Sequence, residues 1–104
     1  MKTRPVVAVD FDGTVCNTDF SRPYIPKEEI KDKPNKHVVE YLRKLSKSGW
    51  IIIIFSSRWW GDYNVVRDWL KRHNVPYNDI ILGRFKADLY IDDKTIRPGE
   101  IKCE

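Results

Sequence analysis

The uninterrupted apolar run Trp50-Ile51-Ile52-Ile53-Ile54-Phe55 limits what this chain can fold into more than any other feature. A strand with one wet face alternates polar and apolar residues. A β-branched run with no polar member is covered on both faces, which places it at the centre of a parallel sheet. Val6-Val7-Ala8-Val9 is a second such run, cut off by Asp10, and Ile80-Ile81-Leu82 and Leu89-Tyr90-Ile91 read as two further short strands. Two helical patterns lie between them. Over residues 35–48, Val38, Val39, Leu42 and Leu45 share a face and Gly49 stands at the stop position. Over residues 62–72, Val65, Val66, Trp69 and Leu70 form the apolar side, Asp62 stands where a cap belongs, and Asn74 and Pro76 end the pattern.

Strand, helix, strand, helix, strand, strand is the order of a three-layer, Rossmann-like α/β domain. Right-handed crossovers then favour a parallel sheet of spatial order 3-2-1-4, with the 50–55 strand between the first and third and the 89–91 strand beyond the first. A chain of 104 residues suffices for one compact domain, expected over 1–104. Residues 11–34 have no clean period and contain Gly13, Pro23, Pro26 and Pro34. They predict a long loop with one helical turn near 27–30, forming a flap over about 13–34 that is too short to be a cap domain.

Composition excludes several classes. The N-terminal apolar run is too short for a signal peptide or a membrane span, so a cytoplasmic protein with no membrane partner is expected. The two cysteines, Cys16 and Cys103, form no CxxC or Cys/His cluster, which argues against a zinc site or a disulfide framework. A net charge of +4 suits an anionic substrate or partner without choosing among phosphate esters, nucleic acid and phosphoprotein.

In an open parallel sheet, ligands bind beyond the carboxyl ends of the strands. The predicted strands end there in Asp10-Phe11-Asp12-Gly13-Thr14, in Ser56-Ser57-Arg58, in Gly83-Arg84-Phe85-Lys86 and in Asp92-Asp93. Acids, hydroxyls and cations thus converge on one edge. Clustered carboxylates repel one another unless a cation sits among them, and Mg²⁺ suits a few carboxylates, waters and a substrate phosphate oxygen. A carboxylate can then attack phosphorus, while hydroxyl and basic groups neutralise the phosphoryl oxygens. Residues i and i+2 of a strand point the same way, so Asp10 and Asp12 can both face the site.

Asp10-Phe11-Asp12-Gly13-Thr14-Val15 resembles the DxDGT signature of the haloacid dehalogenase (HAD) superfamily of phosphohydrolases. The apolar strand ending in Ser56, the basic residues after Leu82 and the Asp92-Asp93 pair follow in that family's order, so the resemblance covers nearly the whole chain. It implies a capless HAD-type phosphatase in which Asp10 is nucleophile and metal ligand. Asp12 is then general acid and base, and its main-chain carbonyl also ligates Mg²⁺. Ser56 and Ser57 with Arg84 or Lys86 bind the phosphoryl group, Arg84 being favoured because it lies nearer the strand end. Asp92 and Asp93 complete the metal site. The connection from Leu82 to Leu89 leaves no room for the family's usual crossover helix.

The other conspicuous residues carry less. Trp59 and Trp60 could stack on a base or sugar ring, or pack on the flap or at a subunit interface. Asn17, Arg22 and Tyr24 are candidates to touch the leaving group. Cys16 has two better-placed aspartates beside it, and His37 and His73 are expected on the surface. The favoured substrate is a small phosphorylated metabolite, a nucleotide or sugar phosphate. The alternatives are a macromolecule, as a nucleic-acid end or phosphoprotein, and an inactive domain used for binding. An open site without a cap admits a large substrate, and an oligomer is compatible with the sequence.

Overall fold

A computed structural model describes residues 3–83. Within them, β1 (Val6–Asp10), α1 (Lys36–Lys47), β2 (Ile51–Ser56), α2 (Tyr63–Arg72) and β3 (Asp79–Leu82) follow in that order, with a 3₁₀ turn, Trp60–Asp62, leading into α2. The sheet has the order β1-β2-β3 and is parallel throughout, with Val6 opposite Ile51 and Ile54 opposite Ile80. The isoleucine run is central among the described strands, as its composition predicts. The 89–91 strand, and with it the full order 3-2-1-4, lies outside the described residues.

Both crossovers step the same way across the sheet, and right-handed connections then put α1 and α2 on one face. Val39 and Leu42 of α1, Val66, Trp69 and Leu70 of α2, and Ile52, Ile54 and Ile80 of the sheet form one buried cluster. The opposite face is drier in sequence than in structure: Ile51 and Ile53 are half-buried and Ile81 is exposed. The described residues therefore supply two of the three layers expected, the sheet and one layer of helices.

Local chemistry sets the boundaries. Lys44 and Lys47 lie in the last turn of α1, where cations complement the helix dipole. Gly49 follows at φ 88°, a left-handed conformation that glycine adopts without strain, and the chain turns directly into β2. The sequence places a helical turn at 27–30, but the structure has a tight turn instead. Glu28 N–H donates to the Ile25 carbonyl at 3.3 Å, Pro26 takes the corner, and Lys27 has φ 64°. A left-handed residue at Lys27 stops a helix at its first position.

The flap is pinned at its base and along its length. Asn17 N–H donates to Lys33 O at 2.9 Å and Asn35 N–H to Val15 O at 2.8 Å. The Trp69 indole donates to Asp32 O at 2.8 Å and Arg72 to Ile30 O at 2.7 Å, while the Ile30 side chain enters the core. Among the described residues, no helix is long and apolar enough to cross a membrane.

Candidate active site

Phe11 turns into the core, fully buried and edge-on to Trp69 with ring centroids 5.1 Å apart. Strand alternation then sends its neighbours Asp10 and Asp12 the other way, and both are half-buried at the carboxyl end of β1. The chain folds back immediately after them. Cys16 N–H donates to Phe11 O at 2.9 Å and Gly13 N–H to Cys16 O at 2.9 Å. Gly13 has φ 80°, a left-handed conformation that glycine adopts without strain, and a Cβ there would also crowd the edge of the exposed Phe20 ring at 3.0 Å.

The Asp12 carboxylate is fully engaged. Ser56 Oγ donates to its Oδ2 at 2.9 Å and Thr18 Oγ1 to its Oδ1 at 2.9 Å. Arg58 adds a fork, with Nε 2.9 Å from Oδ2 and Nη2 2.9 Å from Oδ1. The guanidinium lies over the rings of Phe11 and Tyr24, each centroid 5.7 Å away, within the range of favourable cation–π contact. Burial pushes the Asp12 carboxyl up. Arg58, through its hydrogen bonds and charge, with Ser56 and Thr18, outweighs that and holds it below the usual carboxylate value.

Arg58 also reaches a second carboxylate. Its Nη1 is 3.4 Å from Oδ2 of Asp62, which has no exposed surface. Asp62 does not cap α2 with its side chain, as its position in the sequence suggests. Its carboxylate is turned instead toward the flap, accepting from the Tyr24 hydroxyl and from Lys27 N–H, both at 2.8 Å. These donors arrive from 38 and 35 residues away, which no local pattern reveals. Arg58 has a local signal, its place directly after Ser56-Ser57 at the active edge, but its partners Asp12 and Asp62 are visible only in the fold.

The structure therefore brings Asp12, Ser56 and Arg58 together, with Asp10 at the same strand end and Ser57 on the rim. Arg84, Lys86, Asp92 and Asp93 lie outside the described residues. Ser57, Arg58 and Asp12 open onto a cleft of about 380 Å³ whose far wall is the flap, including Tyr24, Arg22 and Asp32. Arg22 pairs there with Asp32 and Asp19. His37 is exposed and His73 packs on the Trp69 ring with centroids 4.5 Å apart, so neither enters the cleft. Cys16 is buried, and burial pushes its thiol up to about 11.

For a metal ion, the described residues alone hold no group of three or more His, Cys, Asp or Glu able to bind one. They do offer a fit to a hard, oxygen-seeking cation. Besides the Asp12 carboxylate, which Arg58, Ser56 and Thr18 hold, the side-chain and carbonyl oxygens of Asp10-Phe11-Asp12 at this strand end include the Asp10 carboxylate and the Asp12 carbonyl. Two oxygen donors plus water and further carboxylates suit Mg²⁺.

Residues 4–94 match the family described as the polynucleotide kinase PNKP phosphatase domain. The chain belongs to that family. It is thus a HAD-type phosphatase domain, as the DxDGT resemblance implies. No curated protein matches it. Among solved structures it is similar to a chain of the Pnkp1/Rnl/Hen1 complex, with 21% identity and a TM-score of 0.68 over 92% of this chain. A chain of the Pnkp1/Rnl/Hen1 RNA repair complex gives 20% identity and a TM-score of 0.66 over 91%. The domain spans only 32% and 28% of those two chains. At such identity these likenesses establish the fold alone.

Proposed function

We infer that this domain removes a terminal phosphate from a nucleic-acid end. The observation that carries this reading is the match of residues 4–94 to a polynucleotide-kinase phosphatase domain. It moves the balance away from a small phosphorylated metabolite, the substrate favoured by sequence alone, and toward the macromolecular alternative. The likeness to chains of an RNA repair complex points the same way. A site at the open edge of the sheet, bordered among the described residues by a short flap, accommodates a polymer end.

In the proposed mechanism the Asp10 carboxylate attacks phosphorus. The bond to the leaving sugar oxygen breaks, and an aspartyl-phosphate remains. Asp12 takes up a proton from solvent as the phosphate binds, delivers it to the leaving oxygen, and later takes one from the water that hydrolyses the acyl phosphate, a proton it releases when the product departs. Arg58 holds Asp12 ionised, the form needed for the second step. An arriving phosphate draws on the same guanidinium and so raises the proton affinity of Asp12 for the first. Ser57, with Arg84 or Lys86, is assigned to the phosphoryl oxygens, and Ser56 joins them by turning its single hydroxyl proton from Asp12 to the arriving phosphate. Asp10, the Asp12 carbonyl and the Asp92-Asp93 pair would hold Mg²⁺, which would supply positive charge where negative charge builds on the phosphoryl group.

The test is a substrate panel with and without chelator. Oligonucleotides phosphorylated at the 3′ or the 5′ end are compared with mononucleotides, sugar phosphates and an aryl phosphate. Preference for one oligonucleotide end, lost in chelator and restored by Mg²⁺, is expected. Higher kcat/KM on a sugar phosphate would return the assignment to small metabolites, and full activity after demetallation would refute the metal role.

A further inference from the structure

We propose that Trp59 and Trp60, with Lys27, form a stacking platform that holds the bases of a single-stranded nucleic acid beside the phosphate site. This deepens, and rests on, the nucleic-acid reading above. The two indoles adjoin in sequence and in space, with centroids 5.1 Å apart and planes tilted by 49°. Yet Trp59 is 39% exposed and Trp60 68%. Trp69 shows what a structural tryptophan looks like here: no exposure, and its indole nitrogen bonded to Asp32 O at 2.8 Å. Large aromatic faces left in water beside a cleft mark a binding surface.

The platform is built rather than incidental. A Cβ at residue 61 would lie 2.0 Å from the Trp59 ring, so only glycine lets that indole lie flat across the chain. From the flap, Lys27 places its ammonium 5.4 Å from the Trp59 centroid. Lys27 is itself held there, because its N–H donates to the buried Asp62 at 2.8 Å. Together with Tyr63 and Asn64 these residues line a concavity of about 390 Å³.

Its place and its chemistry identify the occupant. Trp59 follows Arg58 directly, one ~3.8 Å Cα step from the residue that grips Asp12. The chain thus runs from the concavity lined by Arg58 directly into the one lined by the two indoles, which puts them within reach of a polymer whose terminal phosphate sits at the strand end. Aromatic faces bind bases by stacking, and an ammonium beside them meets the phosphodiester charge. That pairing fits a single strand, whose bases are free to stack on protein, and the +4 net charge favours the same anion.

The experiment is a tryptophan-fluorescence titration of the full chain with a short unphosphorylated oligothymidylate and with an abasic strand of equal length. Quenching by the base-bearing strand is expected, with Kd about tenfold lower than for the abasic one. Trp60→Ala should bring the two strands within about twofold, and Trp59→Phe, which keeps a ring above Gly61, should retain part of the difference. Equal binding of both strands by the unaltered protein, or an undiminished difference in Trp60→Ala, would overturn the platform. The phosphatase reading fails separately, by a phosphorylated oligothymidylate that binds and is not hydrolysed.

Discussion

Arg58 grips Asp12 with two parallel hydrogen bonds, Nε to Oδ2 and Nη2 to Oδ1, each 2.9 Å long. A fork of this kind fixes orientation as well as charge, which a lysine ammonium cannot do. Asp12 is thereby aimed and kept ionised by a residue just past the end of β2. Because Ser56 binds the same carboxylate, the carboxyl ends of β1 and β2 are tied together through one acid.

Arg58→Ala should therefore lower turnover on an oligonucleotide phosphate by roughly 10²-fold, within the ~10²–10⁴-fold that the proton transfer itself is worth. Arg58→Lys restores the charge without the fork and should recover only part of that. Burial would then raise the Asp12 carboxyl with less opposition. Because Asp12 must carry a proton for the first step, the alkaline limb of the kcat/KM profile should move to higher pH in Arg58→Ala, and an unmoved limb would show that Arg58 does not set the charge state of Asp12.

Asp62 ties the flap to the same network. Replacing it by Ala strips partners from the Tyr24 hydroxyl, Lys27 N–H and one arm of Arg58 at once. Three hydrogen bonds are lost at a net cost of about 0.5–1.5 kcal/mol each, Tyr24 and Lys27 being exposed enough for water to replace the acceptor, so a fall in Tm on the order of 10 °C is expected for a domain this size. Asp62→Asn keeps the shape and part of the bonding and should lose less. Limited proteolysis should cut the Asp62→Ala flap between residues 17 and 34 faster than the unaltered one. An unchanged Tm with an unchanged cleavage rate would mean that the flap is held elsewhere.

The contrast between Phe11 and Asp62 shows where sequence stops being informative. Asp10-Phe11-Asp12 is readable because alternation is local: one apolar residue between two acids at a strand end buries itself and turns the acids outward. The isoleucine run of β2 and the stop at Gly49 are readable for the same reason. Asp62 stands before an amphipathic helix and looks like a cap, but the donors that claim its carboxylate, Tyr24 and Lys27, come from a flap with no periodicity at all. Lys27 follows Pro26 and takes φ 64°, a turn that the helix-compatible residues around it do not announce. Long-range hydrogen bonds decided those positions, and single-residue preferences carry no record of them.

Cys16 gives a pH-dependent test. Its thiol is raised from 9.0 to about 11, first by burial. The folded state thus keeps a proton that the unfolded chain releases above 9.0. That contribution to stability is whole below pH 9.0 and declines as pH rises toward 11. Cys16→Ala removes the linkage, so its stability should fall less steeply than that of the unaltered chain across this window in denaturant titrations. At pH 8, iodoacetamide should leave Cys16 unlabelled until denaturant is added. Rapid labelling of the native protein would contradict the burial.

The sharpest test separates Asp10 from Asp12. Asp10→Asn removes the proposed nucleophile and should abolish turnover of every substrate, activated esters included. Asp12→Asn keeps the nucleophile and loses only the proton transfer, worth ~10²–10⁴-fold. An aryl phosphate with a good leaving group needs little protonation. Asp12→Asn should accordingly release one equivalent of phenolate and then stall, because no base activates the water that would free the phosphate. The amide that this substitution introduces still accepts from Arg58 through its oxygen, so the fork is weakened without being emptied. Intact mass after an acid quench should show one phosphoryl adduct on Asp12→Asn and none on Asp10→Asn. Peptide mapping should place the adduct on Asp10. Appreciable turnover by Asp10→Asn, or an adduct on Ser56 or a histidine, would end the covalent-aspartate mechanism for this protein while leaving its fold untouched.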